Sequence, residues 1–219
     1  GDLAGRHIVV SAGGTQEPLD PVRYVGNRST GKMGFAIAEA ARDRGAHVTL
    51  VTGPVALETP YGIHRVDVNT VAEMLVALEQ ATADSDAIIM SAAPADYRPA
   101  NPSAHKLKKS SDEGALDIGL VKNPDIIATL PAGGVRVGFA AETRKLEEYA
   151  RQKLPAKRLD FIVANDVSAA GSGFGTDTNQ VTIFHSDGRH EELPMMTKYA
   201  VGLAILDRVA TRLSRGASR

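Results

Sequence analysis

Short runs of β-branched and other apolar residues alternate along the chain with longer segments of helical periodicity. The strand-like runs span residues 7–12, 47–52, 63–68, 86–91, 136–140 and 160–164. Strands that alternate with helices in this way are typical of βαβ units, in which a helix carries the chain back to start a parallel neighbour. The pattern therefore predicts an α/β fold with a Rossmann-like, mostly parallel sheet flanked by helices.

Two of the segments between these runs carry helix signals. Residues 31–45 have apolar positions at helical spacing and end in Gly45. Residues 70–81 open with Thr70 followed by Glu73, the spacing of a capping box. We expect both segments to be crossover helices.

The alternation of strand-like and helical segments ends near the C-terminus. Residues 180–184 and 191–193 flank Ser186-Asp187-Gly188, a combination that predicts a β-hairpin. An amphipathic helix is predicted after it, over about 197–213. We expect the hairpin to be a small antiparallel appendage whose strands the main sheet does not use.

Composition limits the possible functions. With 219 residues, 43% hydrophobic and 23% charged, we expect one globular domain over 1–219. The net charge of -1 gives no overall basic field, so we expect neither nucleic acid nor membrane as a partner. The chain contains no cysteine, which excludes disulfides, thiolate metal sites and a cysteine nucleophile. No apolar run reaches the roughly 18 residues of a membrane span, and we expect a cytoplasmic protein.

The loop after the first strand is the first candidate site. Residues 13–34 are rich in Gly, Pro, Ser, Thr and Asn, whereas strand-to-helix loops are usually about two to six residues long. The carboxyl edge of a parallel sheet is where such folds bind ligands. Residues 26–32 match the first seven positions of a P-loop, but Met33 replaces the Mg²⁺-binding hydroxyl, so a Walker A site is rejected. Ser29 and Thr30 either help to hold a phosphate or carboxylate, or cap the helix.

A dinucleotide site is not indicated, because the first loop lacks the GxGxxG pattern. The segment that follows the fourth strand is a better candidate. Ser91, Ala92 and Ala93 are small enough to let a planar ligand approach the backbone. Asp96 can accept from a base or ribose or reach a metal, or it simply stabilises a turn.

Three further segments carry charge or helix-start signals. Lys106, Lys108 and Lys109 either neutralise a polyphosphate or form a solvated face. In the segment 121–130 we expect Asn123 to be the N-cap and Pro124 to occupy the first turn.

In that same turn, Asp125 complements the helix dipole, and free amides are available to a phosphate or sugar. Lys153 and Lys157 lie four residues apart and share a helix face if the helix continues through Pro155. A solvated helix is the alternative, but neither lysine has an acidic partner at the helical spacings before it.

Taken together, these segments resemble the phosphopantothenate:cysteine ligase family in its bacterial, CTP-using form. The blocks that carry the resemblance run in order along nearly all of the chain: GGTQEPLDPVRYVGNRSTGKMGFAIA, SAAPADYRP, HKLKK, VKNPDI, VGFAAET, EEYARQKL and ANDVS. The most specific are DPVR and the following NRSTGKMG. Two departures are mild: Thr30 stands where Ser is common, and Pro94 interrupts the small-residue run.

The resemblance implies site residues. It implies a nucleotide site made by Ser91, Ala92, Ala93, Asp96, Lys106, Pro124, Asp125, Ile126, Ile127, Phe139, Lys153 and Lys157. It assigns Arg23 and Asn27 to the phosphopantothenate end and the acyl intermediate, and Asn27, Lys106 and Arg23 to catalysis. It names no metal ligand, and Mg²⁺ is expected to bind mainly through phosphate oxygens.

The resemblance also implies the reaction and the partners. 4'-Phosphopantothenate attacks the α-phosphate of CTP, and L-cysteine then attacks the acyl-cytidylate. A homodimer is expected, as is natural fusion to a flavin-dependent decarboxylase, of which this chain would be the excised C-terminal half. Decarboxylation is excluded for this chain, which has no cysteine and is expected to carry no flavin. A nucleotide-binding regulatory module without turnover and an ATP-using ligase of the same family remain alternatives.

Overall fold

The computed structural model describes residues 1–108, 116–142, 146–166 and 173–216. Its strands are β1 (His7–Ala12), β2 (Gln16–Pro18), β3 (Tyr24–Gly26), β4 (His47–Thr52), β5 (His64–Asp67), β6 (Ala87–Met90), β7 (Tyr97–Pro99), β8 (Leu120–Lys122), β9 (Val135–Glu142), β10 (Phe161–Asp166), β11 (Thr178–Asn179), β12 (Val181–His185), β13 (His190–Glu192) and β14 (Met196–Thr197). Its helices are α1 (Lys32–Asp43), α2 (Val71–Thr82), α3 (Ile126–Thr129), α4 (Leu146–Ala156) and α5 (Lys198–Gly216). Lys109 lies outside the described residues.

The central sheet has eight strands in the order β13-β12-β10-β9-β6-β1-β4-β5. All pairs from β10 to β5 are parallel, and the predicted α/β class is confirmed. The predicted hairpin is also present, as β12 and β13. The expectation that the strands of this hairpin lie outside the main sheet is wrong, because β12 pairs antiparallel with β10 and extends the sheet.

Helices cover both faces of the sheet, as the burial of its strands requires. One face packs against α1 and α5, through residues such as Phe35, Ile37 and Ile205. The other face packs against α2, α3 and α4, through residues such as Met74 and Ile127. The predicted capping box of Thr70 and Glu73 opens α2.

The order of the strands creates a crevice. From β1 the chain moves outward to β4 and β5, and it then returns to place β6 on the other side of β1. Open α/β sheets bind ligands at such a reversal, beyond the carboxyl ends of the strands. The loops that follow β1 and β6 at this edge contain the hairpins β2–β3 and β7–β8. Within the described ranges, no helix has the length and apolar character to cross a bilayer.

Candidate functional site

The loop after β6 is fixed to the loop after β1. The amide of Ala92 donates to Ser11 Oγ at 3.1 Å, and that of Ala93 to the Gly13 carbonyl at 2.8 Å. Ala95 N donates to Thr15 Oγ1 at 2.9 Å. These bonds hold the small residues 92–95 at the reversal point of the sheet, where they form the floor of two adjoining cavities.

The α3 cavity, of about 320 Å³, lies between this floor, the start of α3 and the end of α4. It brings together most of the predicted nucleotide-binding residues: Ala92, Asp96, Pro124, Asp125, Ile126, Ile127, Phe139, Lys153 and Lys157. The α1 cavity, of about 310 Å³, lies beside it and is lined by the predicted Ser91 and Ala93. A common wall belongs to both cavities and consists of Ala92, Asp96, Phe139, Tyr149 and Lys153.

The start of α3 differs from the prediction. Its N-cap is Asp125, whose carboxylate accepts from Ala128 N at 3.3 Å, and not Asn123. Asn123 is buried instead, and its side chain donates to the Ala95 carbonyl and accepts from Arg98 Nη1. The amide of Asn123 is therefore committed to joining the two loops that enclose the α3 cavity.

Two arginines hold the other end of α3. Arg136 donates to the carbonyls of Ile127 and Pro131, and Arg158 donates to those of Ala128 and Leu130. Cations are favourable at a helix C-terminus. Burial lowers the pKa of the Arg136 guanidinium, and the nearby charge of Arg158 lowers it further. The short helix, and with it one wall of the α3 cavity, is thus fixed by residues that the sequence did not single out.

The two predicted lysines of α4 line the α3 cavity together. The helix includes Pro155 and ends at Ala156, so Lys157 lies just beyond it. Lys157 Nζ forms an ion pair with Asp125 at 2.8 Å, which is the acidic partner that its own helix does not provide. Lys153 Nζ lies 3.9 Å from the centre of the Tyr149 ring, within cation–π range.

The α1 cavity is enclosed by the start of α1. This helix has Gly31 as its N-cap, with φ of 80° and no side-chain cap. The alternative that Ser29 or Thr30 caps the helix is therefore wrong. Thr30 Oγ1 donates to the Phe174 carbonyl, while both hydroxyl residues line the cavity.

Several polar residues of the α1 cavity were missed by sequence reasoning: Lys32, Asn165, Asn179 and Lys198. Lys198 is only 5% exposed, and burial lowers the pKa of its ammonium, assisted by repulsion from Lys32. Ser91 Oγ is buried and has no hydrogen-bond partner among the described residues. Lys32 and Asn165 lie within the blocks NRSTGKMG and ANDVS that carry the resemblance, but the resemblance assigns them no role; Asn179 and Lys198 lie outside all of these blocks.

The three predicted catalytic residues lie outside the lining of both cavities. Asn27 is nevertheless close to the floor, since its Nδ2 donates to the Ala93 carbonyl and its Oδ1 accepts from Ser29 N at 2.8 Å. Gly14 leaves room for it, because a Cβ there would lie 2.5 Å from Asn27 Oδ1.

Arg23 lies near Lys106 rather than near the cavities. It binds Asp20 and donates to the Leu107 carbonyl at 2.8 Å, and Asp20 accepts from Leu107 N at 3.1 Å. The bond from Arg23 holds the pKa of the buried Asp20 carboxyl well below its usual value. Lys106 is thus placed beside the Arg23–Asp20 pair by its neighbour Leu107.

Chemically, the edge of the sheet presents cations on both sides of a wall of small and aromatic residues, a suitable arrangement for anionic ligands. Asp96 is on the common wall, and its carboxylate forms no hydrogen bond or ion pair within the described residues. No group of three or more His, Asp or Glu side chains in the described ranges is placed to hold a metal ion alone.

Comparisons with known proteins agree on one family. Residues 3–213 match the model of the "DNA/pantothenate metabolism flavoprotein C-terminal domain". The chain is 50% identical over 216 residues to the coenzyme A biosynthesis bifunctional protein CoaBC of Escherichia coli strain K12, with 96% of this chain and 53% of the relative covered. It therefore spans about half the length of that curated relative.

Solved structures show the same fold. The C-terminal domain of a coenzyme A biosynthesis bifunctional protein CoaBC superposes with a TM-score of 0.83 at 39% identity, covering 98% of both chains. A Cab2 mutant in complex with phosphopantothenate-cysteine superposes with a TM-score of 0.78 at 16% identity, covering 97% of this chain and 88% of the other.

Proposed function

The chain belongs to the DNA/pantothenate metabolism flavoprotein C-terminal domain family, and from this premise we propose that it is a phosphopantothenate:cysteine ligase of coenzyme A biosynthesis. It joins 4'-phosphopantothenate to L-cysteine with CTP and releases CMP and pyrophosphate. The observation that carries the proposal is the pair of cation-lined cavities with a common wall, which can hold two anionic substrates with their reacting groups adjacent.

The α3 cavity is the proposed nucleotide site. Its floor of small residues allows a flat base to lie against the backbone, and the aromatic ring of Phe139 adds an apolar surface. Lys153 and Lys157 can offset the charge of a polyphosphate. In the Asp125–Lys157 ion pair, the Asp125 side chain is 42% exposed and that of Lys157 is 26% exposed. At this exposure, Lys157 can exchange its pair with Asp125 for a pair with a phosphate.

The α1 cavity is the proposed site of 4'-phosphopantothenate. Lys32 and Lys198 give it positive charge, and Ser29, Thr30, Asn165 and Asn179 supply neutral polar groups. The carboxylate of the substrate would lie at the common wall, facing the α-phosphate. A protein of the same fold that binds phosphopantothenate-cysteine, the product of this reaction, is consistent with the assignment.

In the first step a carboxylate oxygen of the substrate attacks the α-phosphorus of CTP, and the bond to the β-phosphate breaks, releasing pyrophosphate. In the second step the cysteine nitrogen attacks the acyl carbon, loses its proton and displaces CMP. Lys106 stabilises the charge that develops at the α-phosphate. Because Arg23 does not line the α1 cavity, the phosphate of the acid is assigned to Lys32 and Lys198 and not, as the resemblance implies, to Arg23. Asn27 donates to the acyl carbonyl and accepts from the incoming amine.

Mg²⁺ fits this site through a mixed set of oxygen ligands. The carboxylate of Asp96 is on the common wall and is not engaged by other described residues. Such a carboxylate, together with phosphate oxygens, is a usual environment for Mg²⁺. When bound, the ion would neutralise charge on the phosphates, while the lysines keep the nucleotide oriented.

A homodimer is part of the proposal, and an exposed apolar face favours it. Val22 and Tyr24 in the β2–β3 hairpin and Tyr97, Leu120 and Val121 in the β7–β8 hairpin are each between 39% and 60% exposed. Apolar patches of this kind mark interaction surfaces. The late hairpin is part of the main sheet, since β12 pairs with β10, so its strands are not left over for a dimer and the exposed apolar face is the proposed interface.

Sedimentation velocity at micromolar concentration tests the dimer. Tyr24→Arg would dissociate it, because a charge would be buried at the interface. Tyr61→Arg is the matched control, since Tyr61 is 94% exposed and lies outside these hairpins. A wild-type species of 23.1 kDa alone would contradict the proposal.

Pyrophosphate release tests the activity directly. We expect release from CTP only when 4'-phosphopantothenate is present, and CMP formation to be completed by L-cysteine. Equal concentrations of CTP and ATP in parallel reactions decide between the two nucleotides. A faster reaction with ATP would show an ATP-using ligase, whereas nucleotide binding without release would show a regulatory module.

A further inference from the structure

The segment 173–177, here called the strap, is attached to the rest of the molecule through its backbone carbonyls. Lys198 Nζ donates to the carbonyls of Gly173 at 2.8 Å and Thr176 at 2.5 Å. Lys32 Nζ donates to the carbonyl of Gly175 at 2.9 Å. The starts of α1 and α5 therefore hold the strap between them.

The strap is also a wall of the α1 cavity. Gly173 and Phe174 line that cavity, together with both lysines that hold the strap. The carbonyl of Phe174 is bound from two sides, by Thr30 Oγ1 and, at 3.4 Å, by Lys198 Nζ. The position of the Phe174 side chain against the cavity thus depends on Lys198.

The two lysines differ in how their charge is balanced. Lys32 forms an ion pair with Asp177 at 2.7 Å. The ammonium of Lys198 donates, within the described residues, to carbonyl oxygens, and the Asp177 carboxylate acts on it through space. The backbone amide of Lys198 donates to the Asp177 carbonyl at 2.9 Å. Carbonyl dipoles satisfy the donors of an ammonium, but they carry no net charge to cancel it.

Burying an ammonium group without a bonded carboxylate is costly. Its cost is visible in the lowered pKa of Lys198, which is caused mainly by burial. A hydrophobic residue could fill the same space beside the strap. The presence of a charge here is explained if that charge serves an anion in the adjoining cavity.

We propose that Lys198 is a positioning residue that holds the strap against the α1 cavity and gives the cavity a positive charge, bonded to no carboxylate among the described residues, that selects a phosphorylated acid over its unphosphorylated form. This rests on the proposed assignment of the α1 cavity to 4'-phosphopantothenate. The selectivity would operate through the strap and through the field of the ammonium, without direct contact between Lys198 and the reacting atoms.

Calorimetric binding of 4'-phosphopantothenate, pantothenate and CTP tests the proposal in three variants. For Lys198→Met we expect the ratio of affinities for phosphorylated and unphosphorylated acid to fall by about tenfold, because one buried attraction to the phosphate is lost. Lys198→Arg should retain the ratio within about threefold, because the charge remains. The affinity for CTP should change by less than about twofold in both, since the α3 cavity does not contain Lys198.

Hydrogen exchange provides a readout of the strap itself. Amides of 173–177 should exchange faster in Lys198→Met than in the wild type, while those of α3 stay unchanged. A merely structural role would lower the affinities for CTP and for both acids together, and this result, or an unchanged ratio, would overturn the proposal.

A substitution on the surface tests the same inference in case Lys198→Met does not fold. The Asp177 side chain is 88% exposed, so Asp177→Asn should leave the fold intact while removing the carboxylate that pairs with Lys32 and acts through space on Lys198. We expect the affinity for 4'-phosphopantothenate to rise by about two- to threefold, as for removal of a nearby like charge. An unchanged or lower affinity would contradict the inference.

The outcomes also separate this inference from the proposed function. If 4'-phosphopantothenate binds with the expected ratios but no pyrophosphate is released, the ligase activity fails and the role of Lys198 stands. If the wild type releases pyrophosphate and the ratios do not change, the role of Lys198 fails alone. Absence of any binding of the phosphorylated acid to the wild-type protein would overturn the role of Lys198.

Discussion

The α3 and α1 cavities share a wall but hold their cations differently. In the α3 cavity Lys157 is balanced by Asp125 and Lys153 lies over Tyr149. In the α1 cavity Lys32 is paired with Asp177, but the ammonium of Lys198 is bound, among the described residues, by carbonyl groups. A carboxylate partner can be exchanged for a phosphate, and it reduces the net charge of the empty cavity. Carbonyl partners leave the charge in place whether or not a ligand is present.

This difference suggests that the two cavities suit different anionic ligands. Under the proposed assignment, the nucleotide brings several negative charges and Mg²⁺ to the α3 cavity, for which an exchangeable ion pair would be sufficient. The phosphate of a smaller acid has fewer partners and benefits from a cation that is fixed in advance. Substitutions at Lys106, Asn27, Asp125 and Ser91, each with a control or comparison variant, test this difference.

Lys106→Gln should slow pyrophosphate release by about 100-fold or more, as does removal of comparable groups that stabilise transition-state charge. Lys106 lines neither cavity, so a large effect would show that the two cavities do not contain the whole activation machinery. Lys108→Gln is the matched control on the same exposed segment. Single-turnover release at the wild-type rate would remove Lys106 from catalysis.

Asn27→Ala and Asn27→Asp should still consume CTP in a first turnover but pass the acyl group to cysteine about tenfold more slowly, since a well-placed hydrogen bond is lost. Asp also lacks the donor that binds the Ala93 carbonyl. Rapid quenching with labelled CTP should reveal accumulated acyl-cytidylate. If Asn27 only stabilises its turn, both half-reactions and the free energy of unfolding will fall together, with no intermediate.

Asp125→Asn should tighten CTP binding by about threefold, because it removes a competing carboxylate from Lys157 in an exposed pair. Asn can still cap α3. Asp125→Ala is the comparison variant, since it removes the charge and also the cap, at a cost of about 1 kcal/mol in the free energy of unfolding. Equal or weaker CTP binding by Asp125→Asn would show that the ion pair does not compete with the nucleotide.

Ser91→Ala should raise the free energy of unfolding of the ligand-free protein by about 1 kcal/mol, because it removes a buried hydroxyl that has no hydrogen-bond partner among the described residues. Ser11→Ala should lower it, since Ser11 Oγ accepts from Ala92 N and donates to Met90 Sδ. Urea unfolding with and without 4'-phosphopantothenate measures both. If Ser91→Ala is no longer more stable than the wild type once 4'-phosphopantothenate is added, Ser91 binds this ligand. If ligand-free Ser91→Ala is less stable than the wild type, the Ser91 hydroxyl is not an unsatisfied group.

The sequence alone determined the α/β architecture and several elements of the site. The period of the apolar residues predicts strands and helices because burial of one face is a local requirement, and the Thr70–Glu73 capping box lies within four residues. The long loop after β1 and the small residues after β6 also pointed to the edge of the sheet at which the structure has the two cavities. The resemblance then named nine residues that the structure gathers in the α3 cavity.

Tertiary structure decided what depends on distant partners. Asn123 is a residue type suited to an N-cap, but its side chain is hydrogen-bonded to the Ala95 carbonyl and to Arg98 Nη1. Asp125 caps α3 instead. The late hairpin extends the main sheet because the edge of β10 is available to β12. Lys198 acquires its environment from carbonyls more than 20 residues away in sequence. Local propensity does not encode such choices, because competing hydrogen bonds and open strand edges exist only once the chain has folded.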